Sequence, residues 1–194
     1  MTYVNADSLV SADWVADHLD DPNVRIVDGS YHLAATGRDG KAEYLEAHIP
    51  GALHFDIDAV CDPSPTPSPH MFPSAEDFAA AVGAMGISND QRVIVYDADG
   101  LFSAPRVWWM FRVFGHQNVA VMRGGFRNWK SENRPITSDI PSFVATSFNA
   151  HLDATKLRSI SQIQDNIGSA AELVLDARAA NRFDGSQPEA RPGV

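Results

Sequence analysis

Cysteine is almost absent: Cys61 is the only one in 194 residues, so no intrachain disulfide framework can staple the fold. Long apolar runs are missing too. None approaches the roughly 20 residues of a membrane span, and no membrane partner is expected. The opening MTYVNADSLVSADW has neither a basic n-region nor an apolar h-region, so a cytoplasmic protein without a secretory leader is the expectation. Positive charge is scarce. Fifteen Lys and Arg stand against 25 Asp and Glu, a formal net charge of −10. Without a basic stripe to replace phosphate counterions, a nucleic-acid partner is excluded, whereas a few local arginines can still hold a small anion. The seven histidines show no metal-ligand spacing, so no metal is expected.

What the chain does contain is enough apolar material for a core, 44% of residues, arranged in two alternating periods. Val24–Asp28 (VRIVD), residues 53–55, residues 93–96 (VIVY) and Val119–Met122 read as buried strands. Helical patterns fall between them. The first, over 12–19, has Ser11 as N-cap and places Trp14, Val15 and Leu19 on one face. The second, over 75–85, has Ser74 and Asp77 in a capping-box-like arrangement and Gly86 after its end. The third, over 104–114, has Pro105 in its first turn and Gly115 as its stop. Strands alternating with helices predict an α/β fold with a mostly parallel sheet covered on both faces. Residues 56–73 break the pattern. Pro63, Pro65, Pro67, Pro69 and Pro73 forbid a regular element, and a long proline-stiffened loop is either a functional feature or a surface excursion.

A repeat organises the chain. SADWVADHLDDPNVRIVDG from Ser11 and SISQIQDNIGSAAELVLDA from Ser159 are each a serine cap, an amphipathic helix, a polar link and a β-branched strand ending in aspartate. Ser11 aligns with Ser159, Leu19 with Ile167, Ile26 with Val174 and Asp28 with Asp176, at one offset and without gaps. The division read from this is a first domain over 1–135, a linker over 136–148 and the incomplete start of a second, similar domain over 149–194. A helix and one strand bury too little to fold alone, so a further C-terminal fragment is expected to complete the second copy.

Few side chains carry obvious chemistry. The loop after the VIVY strand, Asp97-Ala98-Asp99-Gly100-Leu101-Phe102-Ser103, has the strand–loop–helix form that gathers backbone N–H groups around an anion. Its own Asp97 and Asp99 would repel a thiolate, so it reads as catalytically silent. Cys61 lies between Asp58 and Asp62, with no nearby Lys or Arg to stabilise a thiolate, and reads as a partly buried structural residue. Asp58 and His70 flank the proline-rich stretch. A carboxylate paired with an imidazole could orient and charge a hydroxyl or thiol, although spacing alone favours two unrelated loop residues. Arg182 and Arg191 follow Asp176 and could grip a carboxylate with their planar forks, or be solvated surface residues.

Three stretches carry a resemblance. VIVYDADGLFSAPRVWWMFRVFGHQNVAVMRGGFRNW (residues 93–129) and EYLEAHIPGALHFDID (residues 43–58) resemble the non-catalytic first domain of tandem rhodanese sulfurtransferases. LVLDARAANRFDGSQPEAR (residues 173–191) resembles the opening of that family's second, catalytic domain. The resemblance implies a rhodanese-like domain with a small parallel sheet flanked by helices on both faces, plus the opening segment of a second similar domain. It implies transfer of sulfane sulfur through a cysteine persulfide on a loop beyond Val194, and an acidic residue at the matching position here, Asp97. The branch that uses 3-mercaptopyruvate resembles this chain at Asp58 and His70, implied to relay a proton with a serine of that loop. It also resembles it at Arg182 and Arg191, implied to hold the substrate carboxylate. The implied partners are a small sulfur donor and a thiol acceptor such as thioredoxin or cyanide, with no organic cofactor. Two other readings remain: a thiosulfate user, and a silent rhodanese-like module that binds a partner.

Overall fold

The computed structural model describes residues 6–64 and 70–187. They divide into two compact units, one running to Lys156 and the other starting at Leu157. The first is built on five parallel strands: β1 (Leu9–Val10), β2 (Val24–Asp28), β3 (Leu53–His54), β4 (Arg92–Tyr96) and β5 (Val119–Met122). Their spatial order is β1-β5-β4-β2-β3. The helices are α1 (Ala12–Asp17), α2 (Gly40–Glu46), α3 (Ala75–Ala84), α4 (Ala104–Val113) and α5 (Gly125–Ser131).

Strand side chains alternate between faces, and that alternation makes two cores from one sheet. Val93 and Val95 of β4, with Val119 and Val121 of β5, join Phe78 and Val82 of α3 and Val107, Met110 and Phe111 of α4. Ile94, Tyr96, Ala120 and Met122 point the other way, against Ala12 and Val15 of α1 and Phe126 and Trp129 of α5. A sheet buried on both faces requires strands apolar at every position, which explains the unbroken VIVY and VAVM runs. Phe78 is the hub of the first core. It stacks on Phe114 with ring centroids 4.4 Å apart and meets Phe111 edge-on at 5.3 Å.

The expected caps form. Ser11 Oγ accepts the Trp14 N–H. Ser74 Oγ accepts the Asp77 N–H and donates to the Asp77 carboxylate at 2.6 Å. Gly86 and Gly115 take left-handed φ values of 76° and 91° where α3 and α4 stop. Sequence periodicity passed over β1, α2 and α5. β1 is two residues long, too short to show a period. α5 opens on Gly124-Gly125, which reads as a loop. Gly125 has φ 56°, and a Cβ there would lie 2.3 Å from the Asp97 carbonyl oxygen, so the helix start depends on having no side chain.

The segment expected as a linker over 136–148 lies against the first unit. Thr137 makes an antiparallel bridge with His48, Thr146 N–H donates to Gly83 O, and Phe148 is buried beside Phe78 and Phe111. His151 and Asp153 donate to the carbonyls of Phe114 and Val113. These contacts extend the unit past the linker, to Lys156.

In the second unit α6 (Ile160–Ser169) carries a full capping box, Ser159 with Gln162. A short α7 (Ala180–Phe183) follows. The strand expected over 173–175 does not form. Those residues are irregular, and Leu173 and Leu175 are 86% and 80% exposed. A strand needs a neighbour for its backbone groups, and none pairs with these residues among the described ones.

Truncating the aromatic hub should be costly. Phe78→Ala is expected to lower unfolding free energy by about 4 kcal/mol in urea denaturation, because it leaves a cavity between two sheet-facing helices.

Candidate functional site

The strands are parallel, so their carboxyl ends share one edge of the sheet, where an α/β fold places its ligand crevice. Tyr31 follows β2, Asp58 follows β3, and the Asp97 loop follows β4. A cleft of about 340 Å³ opens there, lined by Tyr31, His32, Arg38, Lys41, His54 and Asp58 among others.

Asp58 and His70, 12 residues apart, come together. His70 Nε2 lies 2.5 Å from Asp58 Oδ1. A carboxylate can only accept, so the imidazole donates from Nε2 and leaves Nδ1 to exchange a proton elsewhere. His70 sits at φ 62°, a region that costs a non-glycine residue about 1–3 kcal/mol and persists only where surroundings over-determine it. Here they do. The His70 carbonyl accepts from Arg106 Nη2 at 2.6 Å, and its ring meets Tyr31 edge-on at 5.3 Å. The next residue's carbonyl, Met71 O, accepts from Asp62 N–H.

Cys61 is half-buried, and its thiol donates to Asp58 O at 3.0 Å. The sequence places no cation near it, but the fold brings Arg106 within electrostatic range. Arg106 and Tyr31 are the site residues that sequence reasoning missed. Arg106 is 36 positions from His70, and no local pattern links them.

The loop after β4 is an anion cradle that is already filled. The Asp97 carboxylate is 1% exposed. It accepts the backbone N–H groups of Phe102, Ser103 and Ala104 at 2.7–2.8 Å, and that of Gly100. Three or more N–H donors on one carboxylate saturate it, leaving no room for a second anion. Asp99 belongs to a different cluster. Arg38 bridges its carboxylate to Glu43, with His32 between them.

Beneath the cleft lies a polar knot at the ends of β2, β3 and β4. Asp28 is 3% exposed and its carboxyl is held above the usual range by burial, partly offset by hydrogen bonds from Ser30 and Tyr96. Burial pushes the Tyr44 phenol up to about 12 and Tyr96 well above its ordinary value. Burial lowers His54, stacked near Tyr44, and His116, which lies under Phe148. His48, within the stretch 43–58, is fully buried and hydrogen-bonded to Tyr44 O, so its part there is in packing.

Arg182 lies in α7, half-buried, with its charge acting on Asp176. Asp176 itself pairs with Arg178 at 2.6 Å. Arg191 lies outside the described residues. Among the described residues no cluster of His, Cys, Asp and Glu could hold a metal ion, and no helix is long and apolar enough to cross a membrane.

The Rhodanese-like domain profile matches residues 11–132. The 3-mercaptopyruvate sulfurtransferase of Rattus norvegicus is 45% identical over 193 residues, covering 96% of this chain and 65% of its own length. The thiosulfate sulfurtransferase of Bos taurus is 44% identical over 188 residues, covering 94% and 63%. The chain thus spans a little under two thirds of the length of these curated relatives. Of the solved structures, SseA from Escherichia coli, a 3-mercaptopyruvate sulfotransferase, superposes with a TM-score of 0.87 at 36% identity, over 96% of this chain and 71% of that one. Tum1 from Saccharomyces cerevisiae does so at 0.85 and 27% identity, over 95% and 65%.

Two outcomes follow from the electrostatics. Asp97→Ala strands buried N–H donors and should cost about 3 kcal/mol in urea denaturation, and Asp97→Asn, which keeps one acceptor oxygen, should cost less. Neutral burial of His116 means that the unfolded chain takes up its proton first as pH falls below 6.5. Stability should therefore decline on acidification from that point toward the lower folded-state value, and the slope of Tm against pH should be shallower in His116→Gln.

Proposed function

Since the chain belongs to the rhodanese-like domain family, we propose that it forms the first domain, and the start of the second, of a sulfurtransferase that takes sulfur from 3-mercaptopyruvate. The observation that carries this reading is the Asp58–His70 pair, 2.5 Å apart at the strand ends. Breaking the C–S bond of 3-mercaptopyruvate needs a proton. A cysteine thiolate attacks the substrate sulfur, a persulfide forms, and the C–S bonding pair departs as the enolate of pyruvate, which must be protonated. An imidazole held by a carboxylate can deliver that proton, directly or through a serine hydroxyl. Thiosulfate makes no such demand, because its S–S bond breaks to release sulfite, already stable as an anion.

Cys61 is a poor carrier, because its thiol is spent on Asp58 O beside acidic neighbours. The filled Asp97 cradle suits a non-catalytic first domain. In this reading the persulfide cysteine, with its serine, lies on a loop of the second domain contributed by a further C-terminal segment. That segment would also cover the exposed Ile160, Ile167 and Leu173–Leu175 side chains. Arg182 and Arg191 hold the substrate carboxylate, since a guanidinium fork matches it with two parallel hydrogen bonds. The acceptor is a thiol such as thioredoxin, or cyanide. The protein acts in the cytoplasm, where such thiols stay reduced. A thiosulfate user is the second reading, on the strength of the 44% identity to the bovine enzyme.

The test compares donors. Pyruvate release from 3-mercaptopyruvate and thiocyanate formation from thiosulfate with cyanide are measured on the protein completed by its C-terminal segment, as wild type, His70→Asn and Asp58→Asn. The expected result is a loss of about 100-fold in kcat for 3-mercaptopyruvate, with the thiosulfate rate within about threefold of its starting value. Equal losses on both donors, or a wild type that prefers thiosulfate, would overturn the assignment.

A further inference from the structure

Arg106 joins two features that the proposed chemistry leaves unexplained. One is the left-handed backbone of His70, φ 62°. The other is a half-buried guanidinium that forms no ion pair among the described residues. Its surroundings explain why it is kept. Nη2 donates to the His70 carbonyl at 2.6 Å, and the guanidinium carbon stands 4.2 Å from the centre of the Phe72 ring. Arg106 thus grips the chain at His70 and again two residues on. Its own backbone is in the first turn of α4, next to Val107, which is fully buried, and its N–H donates to Ser103 O at 2.9 Å. The other contacts of His70 come from loops: Asp58 after β3, Tyr31 after β2, and Asp62 through Met71. Arg106 alone among these ties the histidine to a helix of the core.

We propose that Arg106 is a positioning residue: by holding the His70 carbonyl and the Phe72 ring it fixes the backbone from which the imidazole reaches Asp58. Its role in catalysis rests on the proton-delivery reading above, while its role in the geometry does not. Arginine suits the position because one planar group can donate in its plane and stack on an aromatic face. Lysine, a point charge with a mobile stem, satisfies only part of this.

The geometry is tested on the 194-residue chain by the ring 15N and 13C resonances of His70, assigned by their loss in His70→Asn. Asp58→Asn calibrates the shift produced when the carboxylate partner is weakened. Arg106→Met should move the His70 ring signals in the same direction as Asp58→Asn, with circular dichroism unchanged, and Arg106→Lys should fall between Arg106→Met and the wild type. His70 signals that respond to Asp58→Asn but not to Arg106→Met would overturn the proposal. Should Arg106→Met fail to fold, Arg106→Lys decides, since wild-type ring shifts there would overturn it equally. In the pyruvate-release assay Arg106→Met should lower kcat about tenfold with KM within about twofold, and cause no further loss in the His70→Asn background. Additive losses would refute action through His70. Absence of any pyruvate release from the wild-type protein completed by its C-terminal segment would refute the donor assignment instead, leaving the resonance test standing.

Discussion

The Asp97 carboxylate, ringed by the backbone N–H groups of the loop that follows it, sets the geometry around the site. By gathering Gly100, Phe102, Ser103 and Ala104 it forces the chain leaving β4 into a tight turn and delivers it to the start of α4 in a fixed orientation. Two of the site's contacts then depend on where α4 begins. Ser103 Oγ accepts the Tyr31 N–H, and Arg106, one turn later, reaches the His70 carbonyl. The Asp97 carbonyl also accepts the Phe126 N–H, which ties the first turn of α5 to the same point. A single buried residue, through its carboxylate and its backbone carbonyl, thereby couples the ends of β2 and β4 with the starts of two helices. A cradle that in other settings would hold an external anion is here an internal fastening.

The acidic balance of the chain, a net charge of −10, carries into the cleft, where Arg38, Lys41 and two histidines stand among Asp39, Asp56 and Asp58. Most of that positive charge is matched locally, Arg38 by Glu43 and Asp99. Arg106, half-buried and turned toward Cys61 and His70, is matched by no carboxylate among the described residues. Local pairing decides what a pocket presents, because at physiological salt charges beyond about 8 Å are largely screened.

The parallel α/β architecture was legible because its signals are local. Four of the five strands lie in short apolar-rich runs, α1 and α3 carry their serine N-caps, and glycine ends α3 and α4. What escaped was short or ambiguous: a two-residue edge strand, and a helix opening on paired glycines. The expected strand at 173–175 shows the limit from the other side. Its apolar run ending in aspartate parallels VRIVD, but a strand exists only where a neighbour accepts its hydrogen bonds, and composition does not supply the neighbour. The segment expected as a linker lies against the first unit for a similar reason. Its prolines and serines suggest an open crossing, but Phe148 finds a place among Phe78, Phe111 and His116, and burial of one aromatic ring outweighs that bias.

The sequence by itself determined the fold class, the family, an acidic loop after β4 that begins at Asp97, and the presence of an aspartate and a histidine either side of a proline-rich stretch. Those properties follow from residue type, period and motif, which act over a few positions. Only the tertiary structure decided that Asp58 and His70 meet, that Arg106 stands behind the histidine, and that Cys61 turns its thiol to Asp58 O. These depend on how the ends of parallel strands are brought side by side, an arrangement set by packing between residues far apart in the chain, where no local pattern leaves a trace.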